Sequence, residues 1–429
     1  MGLFSALLSL ILAALPLLAQ NPRASVRIDT TAVGAAEGMA VASAGDLSAA
    51  VWTEVSDKIW MSWADGRATS WSAPLRVDDT SITDRETLWE ESVRVLNGHA
   101  FTVWREAQGA TSDLVLRRFD PSGGFLPQVM LPKGYPQGTG HVVSWRMATA
   151  TDGVQDYVYV LQAVEPGSGQ DEELWLAASQ DGGLTFVATQ IASDPFAYMS
   201  MAVEAEGVTV HVAWNSADRI LYARSADGGL SFAPWAQLDS AGTPTQLAMD
   251  ARGGVVAVVW RVASLLAQGI RANVSPDGGS NWNGDTPLFS GSGSVGFLDV
   301  GVTDGAKIVL GYDYQSSGGP WKVYSRFTDD LGLSWSPFTQ ISPGEARYVR
   351  LATAEPGAPG LPEKGVTAVW SGGPVPQTSM AAYSPDGGVS WYPAIITSDR
   401  PATADIDDTC LAYNDRYHDF INAWRDDGE

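Results

Sequence analysis

Short apolar runs alternate with clusters of turn-forming residues along almost the whole chain. One run recurs as a strand-like segment that ends in an aromatic residue, for example at 49–52, 101–104 and 257–260. Period-2 alternation with β-branched and aromatic side chains favours strands, and helical periodicity is nearly absent. The pattern therefore predicts an all-β chain built from repeated units.

The last residue of this run marks a repeat. The eight marks are Trp52, Trp104, Leu161, Trp214, Trp260, Tyr312, Trp370 and Trp424. They lie roughly 50 residues apart, which is typical of the longer propeller repeats. Each repeat accommodates four strands, and in the fourth repeat we expect them at 199–205, 208–214, 220–225 and 232–238. Seven repeats are complete, and an eighth begins with strands at 405–413 and 420–424.

A second pattern, Ser/Thr-x-Asp-x-Gly-x-Ser/Thr-Trp/Phe, recurs with small variations. Its aspartates are Asp181, Asp227, Asp277, Asp330 and Asp386. The pattern predicts a tight turn, because an Asp side chain accepts hydrogen bonds from backbone N–H groups of its own turn. Glycine adds positive φ angles without steric cost. We expect the final aromatic residue to begin the return strand and to wedge into a core.

This pattern resembles the Asp box, or BNR repeat, of the sialidase-like β-propellers, and the resemblance covers most of the chain after about residue 25. It implies an all-β, sialidase-like β-propeller with seven or eight four-stranded blades. It also implies that the five aspartates are structural, because in that family the box joins the third and fourth strands of a blade, away from the active centre.

The propeller is expected to occupy residues 24–429. A short strand at 25–29 precedes the first full repeat and could help to complete the eighth blade by pairing with a strand after Asp405. Such pairing would remove sheet edges that otherwise favour aggregation. One strand of that blade would still be missing. The last blade is therefore either incomplete, closed by the N-terminal strand, or cut short by a sequence that ends within a repeat.

An apolar run at 3–19 resembles a secretory signal peptide, although no Lys or Arg precedes it. We expect residues 1–20 to be that peptide, with cleavage near Ala19, and the protein to be secreted to the extracellular space or periplasm. An uncleaved anchor is the alternative. No other segment is long and apolar enough to span a bilayer, so no membrane span is expected after removal of the leader.

The composition of the chain restricts the kinds of partner and cofactor that we expect. The formal net charge is −23, which argues against nucleic acid and anionic membranes as partners. The single cysteine, Cys410, excludes an intrachain disulfide. No zinc-ligand spacing and no phosphate-binding glycine loop is present, and the carboxylates at 405–408 are not followed by a calcium loop. No metal ion or cofactor is therefore expected.

The candidate site lies on the face opposite the predicted aspartate turns. In an up-and-down blade the second-to-third and fourth-to-first loops share that face, and the channel mouth there is the default binding site. The candidate ligand-binding residues are Glu90, Glu91, Arg105, Arg146, Tyr198, Arg261, Asp313, Arg347, Tyr348 and Asp407. They suit a sugar or a small anion. For the arginines, ion pairs at the channel rim are the alternative role.

The resemblance to sialidases implies three arginines on a substrate carboxylate, a Tyr nucleophile polarised by a Glu, and an Asp acid/base. The family's first arginine lies in an Arg-Ile-Pro motif, and the nearest match, at 27–29, lacks the proline. A candidate cluster is Arg146, Arg261 and Arg347 with Tyr198 or Tyr348. No catalytic residue is assigned. We expect a propeller that binds a carbohydrate or a surface protein, with an exo-α-sialidase or another glycoside hydrolase as the alternative.

The leader can be tested on protein from the native host. Intact-mass spectrometry should show a mature chain that starts between about residues 20 and 25, because cleavage follows the small residue at the end of the apolar run. Recovery of the intact Met1 form from a cytosolic fraction would contradict the assignment.

Overall fold

The computed structural model describes residues 36–54, 58–78, 85–86, 92–167, 170–193, 200–240, 242–263, 268–303, 307–354, 365–372, 378–397, 408–414 and 419–425. These residues form strands, turns and irregular segments, with no helix among them. Accordingly, the part of the chain so described has no helix that could cross a membrane. The all-β class predicted from the hydrophobic pattern is confirmed.

Seven four-stranded antiparallel sheets form the blades. Blade 1 contains β1 (Ala36–Ala44), β2 (Leu47–Glu54), β3 (Lys58–Asp65) and β4 (Leu75–Arg76). Blade 2 contains β5 (Arg85–Glu86), β6 (Val93–Leu96), β7 (His99–Gln108), β8 (Thr111–Asp120), β9 (Gly124–Phe125) and β10 (Val129–Met130). Blade 3 contains β11 (His141–Thr151), β12 (Asp156–Glu165), β13 (Glu173–Ser179) and β14 (Val187–Ala192). In blade 2 the first and the last strand positions are each shared by two short strands.

The remaining blades follow the same order. Blade 4 contains β15 (Met201–Glu206), β16 (Thr209–Ser216), β17 (Arg219–Ser225) and β18 (Ala236–Gln237). Blade 5 contains β19 (Thr243–Arg252), β20 (Val255–Ala263), β21 (Gln268–Ser275) and β22 (Thr286–Gly291). Blade 6 contains β23 (Ser294–Val302), β24 (Ile308–Gln315), β25 (Trp321–Thr328) and β26 (Thr339–Gln340). Blade 7 contains β27 (Ala346–Thr353), β28 (Val366–Gly372), β29 (Thr378–Ser384) and β30 (Ile395–Ile396).

A smaller sheet occupies the eighth position. It pairs β31 (Asp408–Asn414) with β32 (Asp419–Arg425), and it contacts blade 7 on one side and blade 1 on the other. Ala412 and Ile421 pack against Met39 and Val41 of β1. Seven four-stranded blades and this sheet therefore form the ring. The predicted strand at 25–29 lies outside the described residues, so its pairing remains a prediction.

The hydrophobic core is divided among the interfaces between neighbouring sheets. First strands of successive blades lie beside one another around the ring. Each hydrophobic cluster combines two adjacent sheets, as where Leu161 and Leu176 of blade 3 meet Trp214 and Leu221 of blade 4. The repeat marks lie on second strands, and Trp104, Trp214, Trp260 and Trp370 are completely buried. Each blade therefore depends on its neighbours for burial of its apolar faces.

The five turns that contain Asp181, Asp227, Asp277, Asp330 and Asp386, here called the aspartate turns, join third and fourth strands. In blade 4, the amide of Ser231 donates to Asp227 Oδ1 at 2.9 Å and the Ser231 hydroxyl donates to Oδ2 at 2.6 Å. The hydroxyls of Ser231 and Ser225, followed by the Ser231 amide, lower the pKa of Asp227 to about 2. The carboxylate thus accepts the hydrogen bonds expected from the sequence.

Each aspartate turn also packs against the preceding blade. Gly229 has a φ of +82°, and a Cβ atom there would lie 2.6 Å from Leu176 Cδ2 and 3.0 Å from Ala178 Cβ, both in blade 3. Phe232, which ends the pattern, packs into the same interface. Trp282, Trp335 and Trp391 do so at the next three interfaces. The aromatic residue is a wedge between blades, as the pattern predicts.

The expected start of the return strand is wrong in blade 4. There β18 begins at Ala236 and spans two residues, whereas the sequence predicted a strand at 232–238. The Ala233 amide still donates to the Arg224 carbonyl, at 2.9 Å. Pro234 follows and has no N–H to donate, so the ladder is interrupted before it resumes. Pro337 and Pro393 occupy the same place in blades 6 and 7.

The contact between a turn glycine and the preceding blade can be tested with two alanine variants. Gly229→Ala should destabilise the protein by about 1–2 kcal/mol through its positive φ and by about 1–3 kcal/mol more through overpacking. Gly253→Ala is the control, because Gly253 has a φ of +59° and a Cβ atom there would meet nothing within 4 Å. Urea denaturation should separate the two variants, and equal losses would contradict the role of the blade interface.

Candidate functional site

The residue after the second-strand mark often reaches the first strand of the following blade. Arg105 Nη1 donates to the Val142 carbonyl of blade 3 at 3.0 Å. Arg261 Nη1 donates to the Val295 carbonyl of blade 6 at 2.9 Å. In blade 6 this position is occupied by a carboxylate, Asp313, so the side chain accepts a hydrogen bond instead of donating one. These side chains link neighbouring blades on the face opposite the aspartate turns.

These links end at β-bulges. The pairing register shifts between Val295 and Leu298 in β23 and between Arg347 and Arg350 in β27. The Tyr348 amide, inside the second bulge, donates to Asp313 Oδ2 at 2.8 Å. A bulge bends a strand and redirects its side chains, and it is often found at the rim of a sheet beside a functional site. Tyr348 has a φ of 60°, which few residues other than glycine adopt.

A cavity of about 460 Å³ opens between blades 5, 6 and 7 at this level. Its described lining consists of Thr245, Gln246, Arg261, Gln268, Ser294, Val295, Gly296, Phe297, Trp321 and Arg347. The lining combines two guanidinium groups, two amide side chains and two aromatic rings. The lining residues of the described chain include no Asp or Glu, and Asp313 lies directly behind Gly296, where a Cβ atom would be 2.2 Å from Asp313 Oδ1.

Arg347 is held by aromatic rings. Its Cζ atom lies 4.6 Å from the centre of the Trp321 ring and 4.9 Å from that of Tyr348. Such cation–π contacts orient a guanidinium group without using its N–H donors. No hydrogen bond or ion pair joins Arg347 to another residue of the described chain, and its Nε atom is buried without a partner there. Arg347 lines the cavity, and the donors of its terminal Nη atoms are therefore available to a ligand there.

Arg261 is partly committed to the fold. Its Nε donates to Thr245 Oγ1 at 2.7 Å, and Nη1 donates to the backbone of the blade 6 bulge. Burial lowers the pKa of Arg261, and the Asp313 carboxylate acts in the opposite direction. Within the described ranges, Nη2 of Arg261 and the side-chain amide of Gln246 have no hydrogen-bond partner. Both residues line the cavity, so each brings a hydrogen-bond donor to it.

Asp313 is a buried carboxyl group. Its side chain is fully buried, and Oδ1 has no hydrogen-bond partner among the residues described. Burial raises the pKa of Asp313 to about 6, against the opposing effects of the Tyr348 and Phe297 amides and of the positive charges of Arg347 and Arg350. Loss of hydration disfavours the charged form of a carboxyl group. The buried carboxyl group of Asp313 therefore takes up a proton more readily than an exposed aspartate does.

A second cavity, of about 420 Å³, lies beside the outer strand of blade 4. It is lined by Asp218, Arg219, Gln237, Asp239, Ser240 and Gly242. Asp239 Oδ1 accepts from the Ile220 amide at 2.8 Å, and Arg219 lies 3.8 Å from Asp218 Oδ1. Its charged groups thus have partners and its lining has no aromatic ring. The first cavity, which lies between blades 5, 6 and 7, is the better candidate for ligand binding.

The structure brings together part of the predicted set. Arg261 and Arg347 line the cavity, and Asp313 and Tyr348 support it. Arg105 and Arg146 belong to blades 2 and 3 and are not in its lining; Arg146 Nη1 donates to the Trp145 carbonyl at 2.8 Å. Arg146 therefore does not join Arg261 and Arg347 at this cavity. The residues predicted for the site that lie outside the described chain are Glu90, Glu91, Tyr198 and Asp407.

Sequence reasoning missed several lining residues, namely Thr245, Gln246, Gln268, Phe297 and Trp321. Gln268 and Trp321 are the first residues of third strands. The rule that selected the ends of second strands applies equally to the starts of third strands, so these two residues could have been found. Phe297 lies in a bulge, which alternation of apolar and polar residues does not reveal.

Groups of three or more His, Cys, Asp or Glu side chains that could hold a metal ion are not found among the described residues. The chain offers no protein-derived metal centre for the cavity in those ranges. The described side chains at the cavity supply guanidinium groups, amides, aromatic rings and one buried carboxyl group.

Comparisons with known proteins support the fold. No family model matches the chain, and no curated protein matches it significantly. Among solved structures, an ulvan lyase of polysaccharide lyase family PL25 has a TM-score of 0.50 and 10% identity, covering 96% of this chain and 92% of its own. The NanB sialidase of Streptococcus pneumoniae has a TM-score of 0.40 and 12% identity, covering 82% and 67%. An α-L-arabinanase of Penicillium chrysogenum has a TM-score of 0.39 and 12% identity, covering 64% and 86%.

The ulvan lyase shares its overall architecture with this chain. At such low identity, the similarity shows the architecture and does not transfer an activity or a catalytic residue. The β-propeller fold that the resemblance implies is confirmed by the ring of blades, and the resemblance to sialidases in particular stays a prediction.

Proposed function

We propose that this chain is a secreted β-propeller that binds a carbohydrate carrying an anionic group in the cavity between blades 5, 6 and 7. The observation that carries the proposal is Arg347, which is oriented by Trp321 and Tyr348 and has no hydrogen-bond partner within the described residues. Arg261 presents a second guanidinium group to the same space.

The acidity of the chain makes these arginines informative. Asp and Glu number 49 against 26 Lys and Arg, so carboxylates are abundant. An arginine in such a chain would ordinarily be expected to form an ion pair, yet Arg347 forms none with the residues that the structure describes. Guanidinium groups match carboxylate and sulfate groups with paired, charge-assisted hydrogen bonds. We therefore infer that the cavity binds an anion, which would pair with the guanidinium groups of the lining.

The rest of the lining suits a sugar. Trp321 and Phe297 present aromatic surface, on which the apolar face of a sugar ring can pack. The side-chain amide of Gln246 has no hydrogen-bond partner among the described residues and can bond to hydroxyl groups. The cavity volume falls within the ~300–1,000 Å³ common for small-ligand sites. The net charge of −23 repels a long polyanion at low ionic strength. An oligosaccharide with few charges therefore fits better than a densely charged polymer.

Hydrolysis of a glycoside, including exo-α-sialidase activity, is the alternative. Most glycoside hydrolases use a pair of carboxyl groups that flank the scissile bond. Among the described residues at the cavity there is one carboxyl group, Asp313, and it is buried behind the lining. A binding role therefore accounts for the described groups without a second carboxyl group, which hydrolysis would require. For a binding role, a surface protein is the alternative partner.

The proposal is tested with a galacturonic acid trisaccharide and the neutral galactose trisaccharide. Calorimetry should show binding of the acidic sugar, and Arg347→Ala should weaken it about 10- to 100-fold, the effect of losing a charge-assisted hydrogen bond worth about 1.5–3 kcal/mol. Asp227→Ala is the control: on the opposite face, it should lower the melting temperature and leave affinity unchanged.

Equal affinity of Arg347→Ala and the unaltered protein, or preference for the neutral sugar, would refute the proposed site. Turnover of a fluorogenic sialic acid substrate above the blank would instead favour the hydrolase. A binding protein predicts no turnover.

A further inference from the structure

We propose that Asp313 is a proton-operated regulator of this cavity: ionised, it offsets part of the arginine charge, and protonated, it leaves that charge to an anionic ligand. This inference rests on the proposed function and concerns regulation of the same site. It predicts that anionic saccharides bind more tightly as the pH falls.

The position of Asp313 gives it this influence. The residue lies on β24, fully buried behind Gly296 of the cavity lining. Its carboxyl group interacts electrostatically with Arg261 on β20 and with Arg347 and Arg350 on β27. Because the charge is shielded from water, its effect on a neighbouring guanidinium group is screened far less than it would be at the surface.

Among the described residues, the other elements packed against Asp313 bring few competing charges. From β27 come Arg347, Arg350 and the Tyr348 phenol, and β23 contributes Gly296 and Phe297, which do not titrate. On β25, Val323 lies opposite Asp313, and the Lys322 ammonium donates to Gln340 Oε1 on the outer strand at 3.2 Å. Arginine and tyrosine keep their charge states between pH 5 and 8, so Asp313 is the group among these that changes.

Protonation is compatible with the local fold. Oδ2 of Asp313 accepts the hydrogen bond from the Tyr348 amide, whereas Oδ1 has no partner in the described structure. A proton can therefore be added at Oδ1 while Oδ2 still supports the bulge that carries Arg347. Protonation of Asp313 therefore changes the charge behind the cavity lining and leaves the shape of the lining unchanged.

The direction of the coupling follows from linkage. Burial raises the pKa of Asp313 to about 6 in the free protein. An anion beside Arg347 and Arg261 disfavours a second negative charge there, so binding raises the pKa of Asp313 further. The protein must then take up protons on binding near pH 6.5, and lower pH must favour the complex.

The free protein gives an independent measure of the same group. Because the pKa of Asp313 in the folded state lies above its ordinary value near 4, its contribution to stability is present at about pH 4 and is lost as the pH rises through about 6. Asp313→Asn removes this contribution. The aspartate turns affect stability in a lower pH range, because the pKa values of Asp227 and Asp330 are lowered to about 2.

The test measures affinity for the galacturonic acid trisaccharide between pH 5 and 8, with inorganic sulfate as a probe whose charge is constant over that range. The unaltered protein should bind both probes at least about 5-fold more tightly at pH 5 than at pH 7.5, because one buried negative charge is removed. Asp313→Asn should bind at pH 7.5 as tightly as the unaltered protein does at pH 5, with little dependence on pH.

A second measurement needs no variant. Calorimetry at pH 6.5 in buffers of different ionisation enthalpy should reveal net proton uptake by the unaltered protein on binding. Binding without proton uptake and without pH dependence would overturn the regulatory role and leave the proposed function standing. An Asp313→Asn protein that keeps the full pH dependence would do the same. Absence of binding to either probe at every pH would overturn both proposals.

Discussion

Packing between neighbouring blades is the interaction on which the rest of the structure depends. No blade buries its apolar surface alone, since each hydrophobic cluster is shared by two adjacent sheets. The aspartate turns strengthen these interfaces twice, through a glycine that approaches the preceding blade and an aromatic side chain that wedges beside it. A side chain at Gly229, for example, would press on Leu176 and Ala178. The carboxylate of Asp227 fixes the turn, and the turn positions the wedge.

The candidate site is built from the same kind of contact on the opposite face. Arg261 and Asp313 occupy equivalent places in successive blades and hold the bulges of the next blade with side chains of opposite charge. This arrangement leaves Arg347, supported by Trp321 and Tyr348, facing an open cavity. It also buries a carboxyl group among arginines, which is costly when the group is ionised. Positions that serve the fold in other blades thereby line or support the candidate ligand site.

The fold could be predicted from the sequence because its signals are local and repeated. The aspartate turns and the second-strand marks each recur at a regular interval, and each recurrence supports the same architecture. The site could be predicted only in part. Arg261, Asp313 and Arg347 follow from strand order, whereas Phe297 depends on a bulge and the separation of Arg146 from Arg347 depends on how the ring curves. The raised pKa of Asp313 comes from its burial in the assembled ring, which no local pattern encodes.

The most direct test of the account is a crystal structure of the protein with the galacturonic acid trisaccharide, grown near pH 5. The account predicts a sugar carboxylate within hydrogen-bonding distance of Arg347 and Arg261, with a ring packed beside Trp321. A saccharide bound on the aspartate-turn face, or in the cavity beside the outer strand of blade 4 with the cavity between blades 5 and 7 empty, would contradict it.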